Sequence, residues 1–194
     1  MGLDMYLSKL PKVKEYTLAE TICFNEELFH SFDNFNKTGL TGLFKAFIKK
    51  SELGFFSMEK EVGYWRKANA IHKWFIENTN EVADGSYEVT KQDLEKLKEA
   101  CETVINGSKL DDGLISIGRR YQNGEFVDIL EEGKIIANPE LAKSILPTQD
   151  GFFFGNLDYD EFYIEKLKLT VEIINEALKK TDFETEYLYY WASW

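Results

Sequence analysis

The chain has 194 residues, 44% of them apolar and 15% aromatic, and a net charge of −11. That composition excludes intrinsic disorder and supplies enough apolar chain for a real core. Residues 1–60 carry eight basic and eight acidic side chains, and residues 61–194 carry fifteen and twenty-six. The negative excess therefore lies wholly in the second part, where it repels phosphate backbones, disfavours direct nucleic-acid binding and suits a basic partner.

In chain order, Leu3 to Leu7 alternates as a first strand that ends near Pro11. Thr17-x-x-Glu20 is a capping box before a short helix, and Asn25 is placed to cap a second one. A turn is expected over residues 36–42, then a helix carrying Leu40, Leu43, Phe44, Phe47 and Ile48. Gly54-Phe55-Phe56 breaks it and starts a short strand. The next helix is predicted from Val62 to Asn78, with Tyr64, Trp65, Ala68, Ile71, His72 and Phe75 on one broad face. Asp84-Gly85 is a turn and Tyr87 to Val89 a short strand. Thr90-x-x-Asp93 opens a helix with a Leu94, Leu97, Cys101, Val104 stripe that stops at Gly107.

Residues 108–140 differ in character. Asp112-Gly113, Asn123-Gly124 and Glu132-Gly133 are turn signals between short β-like runs, so several hairpins are expected. Gly151 to Gly155 reads as a compact apolar strand. Asp158-x-x-Glu161 caps a last long helix with Ile164, Leu167, Val171, Ile174 and Leu178 as its stripe, and Glu186 to Trp191 forms a final strand. Few short strands between long helices predict an α+β fold: a small, mostly antiparallel sheet with helices packed on one face, and a hairpin-rich insertion. A doubly wound parallel sheet is the weaker alternative, because no glycine-rich loop joins a strand to a helix. With three prolines and no Gly/Ser-rich linker, one domain over residues 1–194 is expected, with insertions at 15–55 and 108–140.

Two cysteines, Cys23 and Cys101, are too few for a disulfide framework or a zinc site. The N-terminal stretch lacks the basic region of a signal peptide, and no apolar run approaches the ~20 residues of a membrane span, so a cytoplasmic protein is expected. The two histidines, His30 and His72, are far apart and in no metal-binding spacing. Asp112 with Glu132-Gly133-Lys134 has the spacing of a metal-dependent nuclease, but Glu132 reads as a hairpin tip. No nucleophile elbow, phosphate loop or dinucleotide fingerprint is present, so no cofactor and no catalytic residue is assigned.

The remaining concentration of chemistry is Glu61 to Phe75, EVGYWRKANAIHKWF. Its candidate binding residues are Trp65, Arg66, Lys67, Asn69, His72, Lys73 and Trp74. On the predicted helix, Arg66, Asn69 and Lys73 share one margin, while Lys67 and Trp74 share the other. Trp and Arg dominate binding hot spots, which favours a partner surface. Trp74, off the main stripe, is expected to meet Trp191 or Trp194 or an external partner. The competing use is an anion-binding edge made of Arg66, Asn69, His72 and Lys73 for a nucleotide or other phosphorylated compound.

That segment, with Gly2-Leu3-Asp4-Met5-Tyr6-Leu7, the run Leu146 to Gly155 with Tyr159-Asp160, and the closing Tyr190 to Trp194, resembles a family of uncharacterised small proteins encoded in bacteriophages and prophages, some loosely labelled phosphoglycerate kinase. The matching pieces cover about a third of the chain, spread over its length. The kinase label finds no nucleotide-binding loop here. The resemblance implies an accessory protein working in the cytoplasm of a bacterial host. Its expected partner is a host or phage protein, with inhibition of a defence system such as CRISPR as the analogous role.

Overall fold

A computed structural model describes residues 2–13, 16–30, 47–50, 56–122 and 124–194. The fold is α+β, as the sequence predicts. Its sheet has five antiparallel strands in the order β4-β1-β9-β6-β5. Here β1 is Asp4–Pro11, β4 Lys60–Arg66, β5 Asn80–Ala83, β6 Ser86–Glu88 and β9 Glu186–Ser193. The two strands most distant in sequence, β1 and β9, lie side by side, with Tyr6 opposite Trp191 and Leu7 opposite Tyr190. β5 and β6 form a hairpin over the predicted Asp84-Gly85 turn, where Gly85 takes the left-handed conformation (φ 67°).

Three helices pack on one face: α2 (Asn69–Asn78), α3 (Lys91–Gly107) and α5 (Glu161–Lys180). Leu3, Met5, Leu7, Trp65, Leu188 and Tyr190 supply the sheet side of this core. Ile71 and Phe75 of α2, Leu94, Leu97 and Val104 of α3, and Ile164, Leu167 and Ile174 of α5 meet them. Each fully buried side chain of this size contributes about 1.5–3 kcal/mol. Cys101 belongs to the same core, where burial pushes its thiol up to about 12. Helix α1 (Leu18–His30) covers part of the other face, with Leu18, Ile22 and Leu28 against Leu10, Met58 and Tyr189.

Local signals explain several of these boundaries. Thr17 N–H donates to Glu20 Oε2 (2.7 Å) and Glu20 N–H to Thr17 Oγ1 (3.3 Å), the predicted capping box. Thr90 and Asp93 repeat it at the start of α3. Asn25 is no cap. Helix α1 runs through it, and its Oδ1 accepts from Met58 N–H (2.7 Å) and Ser57 Oγ (3.1 Å). The predicted turn at 36–42 and most of the helix after it lie outside the described residues. The far end of that stretch, Lys49–Lys50 (β2), pairs with Phe56–Ser57 (β3).

The largest correction concerns residues 62–68. They do not belong to a helix. β4 pairs with β1, placing Trp65 opposite Met5 and Tyr64 opposite Tyr6, so Trp65 points into the core and Tyr64 and Arg66 point out. Lys67 then takes a left-handed conformation (φ 54°) and α2 begins at Asn69. Gly63 belongs to this arrangement, since a Cβ there would sit 2.4 Å from Ile173 Cγ2 on α5.

Residues 108–140 correct a second expectation. They form one long hairpin of β7 (Leu110–Gln122) and β8 (Glu125–Ile136), not several short ones. Of the three turn signals only the middle one turns the chain: Gly124 has φ 92°, and Asn123 lies outside the described residues. Gly113 and Gly133 sit opposite each other within the strands. They serve space: a Cβ on Gly113 would lie 2.7 Å from Ile135 Cγ1, and one on Gly133 2.4 Å from Ile115 Cδ1.

Beyond the short helix α4 (Glu140–Ile145), the predicted strand at Gly151–Gly155 is an irregular loop. The N-cap of α5 is Asp160, two residues after the expected Asp158; its Oδ1 accepts from Tyr163 N–H (2.9 Å). Among the described residues no helix is long and apolar enough to cross a membrane.

Candidate functional site

The seven candidate residues are divided among β4 (Trp65, Arg66), the left-handed Lys67 and α2 (Asn69, His72, Lys73, Trp74), which turn them in different directions. Trp65 is fully buried in β4, and its Nε1–H donates to Thr170 Oγ1 on α5 (2.9 Å). Trp74 is also core, its ring edge-on to Phe75 at 5.5 Å. The tail tryptophans go elsewhere: Trp191 stacks on Tyr6 (4.2 Å), and Trp194 meets His72 (5.5 Å) and Phe154 (5.5 Å). Lys73 pairs with Glu77 one turn on, at 3.8 Å.

His72 is buried among aromatic rings. Its Nδ1 shares a hydrogen bond with Tyr190 Oη (2.6 Å), and Phe154 stands edge-on at 5.1 Å. Desolvation lowers its pKa from 6.5 to about 4, so the ring is neutral at pH 7. The hydroxyl of Tyr190 is pushed well above its ordinary value by the same burial.

Asn69 is buried and works as a staple. Its Nδ2 donates to Asn156 O (2.9 Å) and Phe154 O (3.3 Å), and its Oδ1 accepts from Gln149 N–H (3.4 Å). One side chain thereby fixes three points of the loop between Leu146 and α5. Leu3 N–H adds a fourth tie, to Phe153 O (3.2 Å). Replacing Asn69 by Ala removes all three contacts of the side chain. The expected loss is about 1–3 kcal/mol, with faster amide exchange confined to residues 149–156. Unchanged exchange in that segment would refute the staple.

What this loop displays has no signal in the sequence. Phe153 is held at φ 69°, a conformation that costs a bulky residue about 1–3 kcal/mol and is found where surroundings over-determine it. Phe154 turns inward onto His72, while Phe152 is 78% exposed and its ring lies 4.2 Å from that of Phe153. The exposed Lys67 adjoins the loop's end, its Cβ 3.3 Å from the Cβ position of Gly155, and the side chains of Lys67 and the exposed Arg66 come within 3.1–3.5 Å of that of Gly2, next to Leu3. Arg66 and Lys67 thus remain candidate surface residues, whereas Trp65, Asn69, His72 and Trp74 are buried, and of these Asn69 and His72 contact the loop. An FFF run reads as core in a sequence; only the positive φ of Phe153 separates its members.

The cleft beside the loop, between Lys67, Asn69, Asn156, Asp158, Phe162 and Lys166, encloses about 30 Å³. That volume holds one or two waters, not a nucleotide. Arg66, His72 and Lys73 do not line it. At the hairpin, Glu132 lies within β8 opposite Leu114 rather than at a tip, and Lys134 Nζ contacts Asp112 Oδ1 across the strands (2.6 Å). That hydrogen bond lowers the Asp112 carboxyl below its usual value. Among the described residues no three His, Cys, Asp or Glu side chains group as a metal site.

Comparison with protein-family models, curated proteins and solved structures finds no match.

Proposed function

We propose that this chain is a phage or mobile-element accessory protein that binds a host or phage protein in the bacterial cytoplasm, through the loop around Phe152 and Phe153. The observation that carries this reading is the pairing of effort and exposure. Asn69 and Leu3 tie the loop down, and Phe153 is strained, yet Phe152 is left 78% exposed. A fixed, exposed aromatic on a loop whose end at Gly155 meets Lys67 has the composition of a binding hot spot. The −11 charge supports a protein partner over a nucleic acid. Inhibition of a defence system such as CRISPR is the role that the phage resemblance makes the natural one to assay.

The test is quantitative capture from a bacterial host lysate by wild type, Phe152→Ala and Arg66→Ala. Both side chains are exposed, so each variant should keep wild-type stability within about 0.5 kcal/mol. Phe152→Ala is expected to weaken capture tenfold or more, which corresponds to about 1.4 kcal/mol. A captured set identical for all three proteins sinks the reading. The alternative, a nucleotide or phosphorylated ligand held by Arg66, Asn69, His72 and Lys73, predicts stabilisation by nucleotides in a thermal-shift panel. The dispersal of those four side chains leaves it without a shared cavity.

A further inference from the structure

We infer that the outer edge of β4 accepts an extended peptide strand with basic side chains, laid in the groove between β4 and α5. β4 ends the sheet, and among the described residues no strand pairs with its outer edge. Its hydrogen-bonding phase follows from one contact, Lys67 N–H to Leu3 O (2.7 Å). Bonded pairs alternate along an antiparallel ladder. Trp65 and Gly63 therefore bond Met5 and Leu7, while Tyr64 and Arg66 turn their N–H and C=O groups away from β1. Among the described residues no backbone group meets them. Donors and acceptors repeating every second residue are what an added strand pairs with. The groove beside this edge suits such a strand. One wall is β4 from Lys60 to Tyr64, and the other is the α5 stripe from Leu169 to Lys180. The walls run roughly 13 and 16 Å, at ~3.3 Å per strand residue and ~1.5 Å per helical residue. The space between them is about 540 Å³ and opens to solvent.

Burial selects the occupant. A second copy could offer its own β4, but the helix-facing side of that strand is Gly63 and the fully buried Trp65, which its own α5 already covers. Such a strand has no side chain to give and would leave the groove empty. The occupant is a strand whose side chains are free on that side, a segment extended away from its own body. Leu169 is 42% exposed, and Ile173 and Val62 are half-buried, so the position facing them takes an apolar residue. Charge sets the neighbouring position. Glu176 is neutralised by Lys180 (2.6 Å), whereas Glu61 and Glu172 are exposed and in no ion pair among the described residues. Only Lys60 opposes these two carboxylates along the groove, and the chain as a whole adds −11. A lysine or arginine two residues from the apolar position falls on the same side of the strand and reaches them.

The experiment selects binders of the full chain from a display library of randomised nonapeptides. Enriched peptides should carry Lys or Arg two residues from an apolar residue. Synthetic copies, each with a single backbone N-methyl group, should separate by phase. Methylation at alternate residues should weaken binding by about tenfold or more, and at the residues between them should leave it within about twofold. Glu172→Lys should weaken the same peptides by about tenfold or more, with an unchanged circular dichroism spectrum. The absence of any enriched peptide, or binding indifferent to the methylation phase or to Glu172→Lys, would overturn the proposal. So would a wild-type mass of twice 22.6 kDa that falls to the single mass in Tyr64→Pro, which removes an N–H that β1 does not use; the edge would then be taken by a second copy.

Discussion

Replacing Trp65 by Ala is expected to remove about 3–5 kcal/mol of folding stability, the range for deleting a buried large aromatic. Trp65 is fully enclosed, contacts Phe75 edge-on at 5.9 Å and bonds Thr170 at 2.9 Å, so it locks β4 to both α2 and α5. Against a total stability of ~5–15 kcal/mol, that loss puts much of the population at risk of unfolding. Trp65→Phe keeps most of the volume and loses the indole N–H, and should cost about half as much or less. Thr170 is not orphaned by either change, since its hydroxyl also donates to Lys166 O (2.7 Å). Urea unfolding measures both. Were Trp65 a surface contact, Trp65→Ala would cost under about 0.5 kcal/mol, so the size of the loss tests its burial.

Acid should destabilise the protein through His72. In the unfolded chain the imidazole titrates near 6.5, whereas burial among Phe154, Tyr190 and Trp194 lowers the folded value to about 4. The unfolded state therefore binds the proton first as pH falls. The full contribution of a neutral His72 is present above pH 6.5, and it declines as pH drops towards 4. At 1.36 kcal/mol per pH unit, the loss across that window is about 3 kcal/mol. Buried Asp160 works in the opposite sense: burial raises its pKa, and so favours the folded state as pH falls. The comparison must therefore be between wild type and His72→Gln, which keeps a polar atom for Tyr190 but cannot titrate. Denaturant unfolding at pH 7 and pH 4.5 should show a much smaller pH effect in His72→Gln. Parallel profiles for the two proteins would place the acid sensitivity elsewhere.

The features legible in the sequence are those decided within a few residues. Thr17 and Glu20, Thr90 and Asp93, and Asp84-Gly85 each settle their own backbone locally, and the structure carries all three. The α3 stripe was equally clear, because Leu94, Leu97, Cys101 and Val104 satisfy a helical period and no other. By contrast, Val62 to Ala68 satisfies two periods at once. Its choice of strand is made by Asp4 to Leu7, some sixty positions away, and no local residue announces the left-handed Lys67. Gly113 and Gly133 mimic turn glycines because a sequence shows that a glycine is present, not that another glycine faces it across a ladder. The candidate site was half legible for the same reason. Crowding of Trp, Arg and His around residue 65 is visible, and Trp65 and His72 are buried and Arg66 exposed as the packing face predicts, whereas Tyr64 turns outward and the margin residues Asn69 and Trp74 turn inward. Phe152 is hidden inside an apolar run of which only Phe154 is core.

The central seam of the sheet has a consequence for how the molecule comes into being. β1 and β9 are hydrogen-bonded from Asp4↔Ser193 to Pro11↔Glu186, so the middle of the sheet joins segments about 180 residues apart. Loop-closure entropy makes such contacts late and slow. During translation, the edge of β1 that β9 completes is expected to stay unpaired until Tyr190 has left the ribosome, and the apolar side chains along it to stay exposed for that time. The protein's yield in a cell should depend on chaperone capacity more than its final stability would suggest.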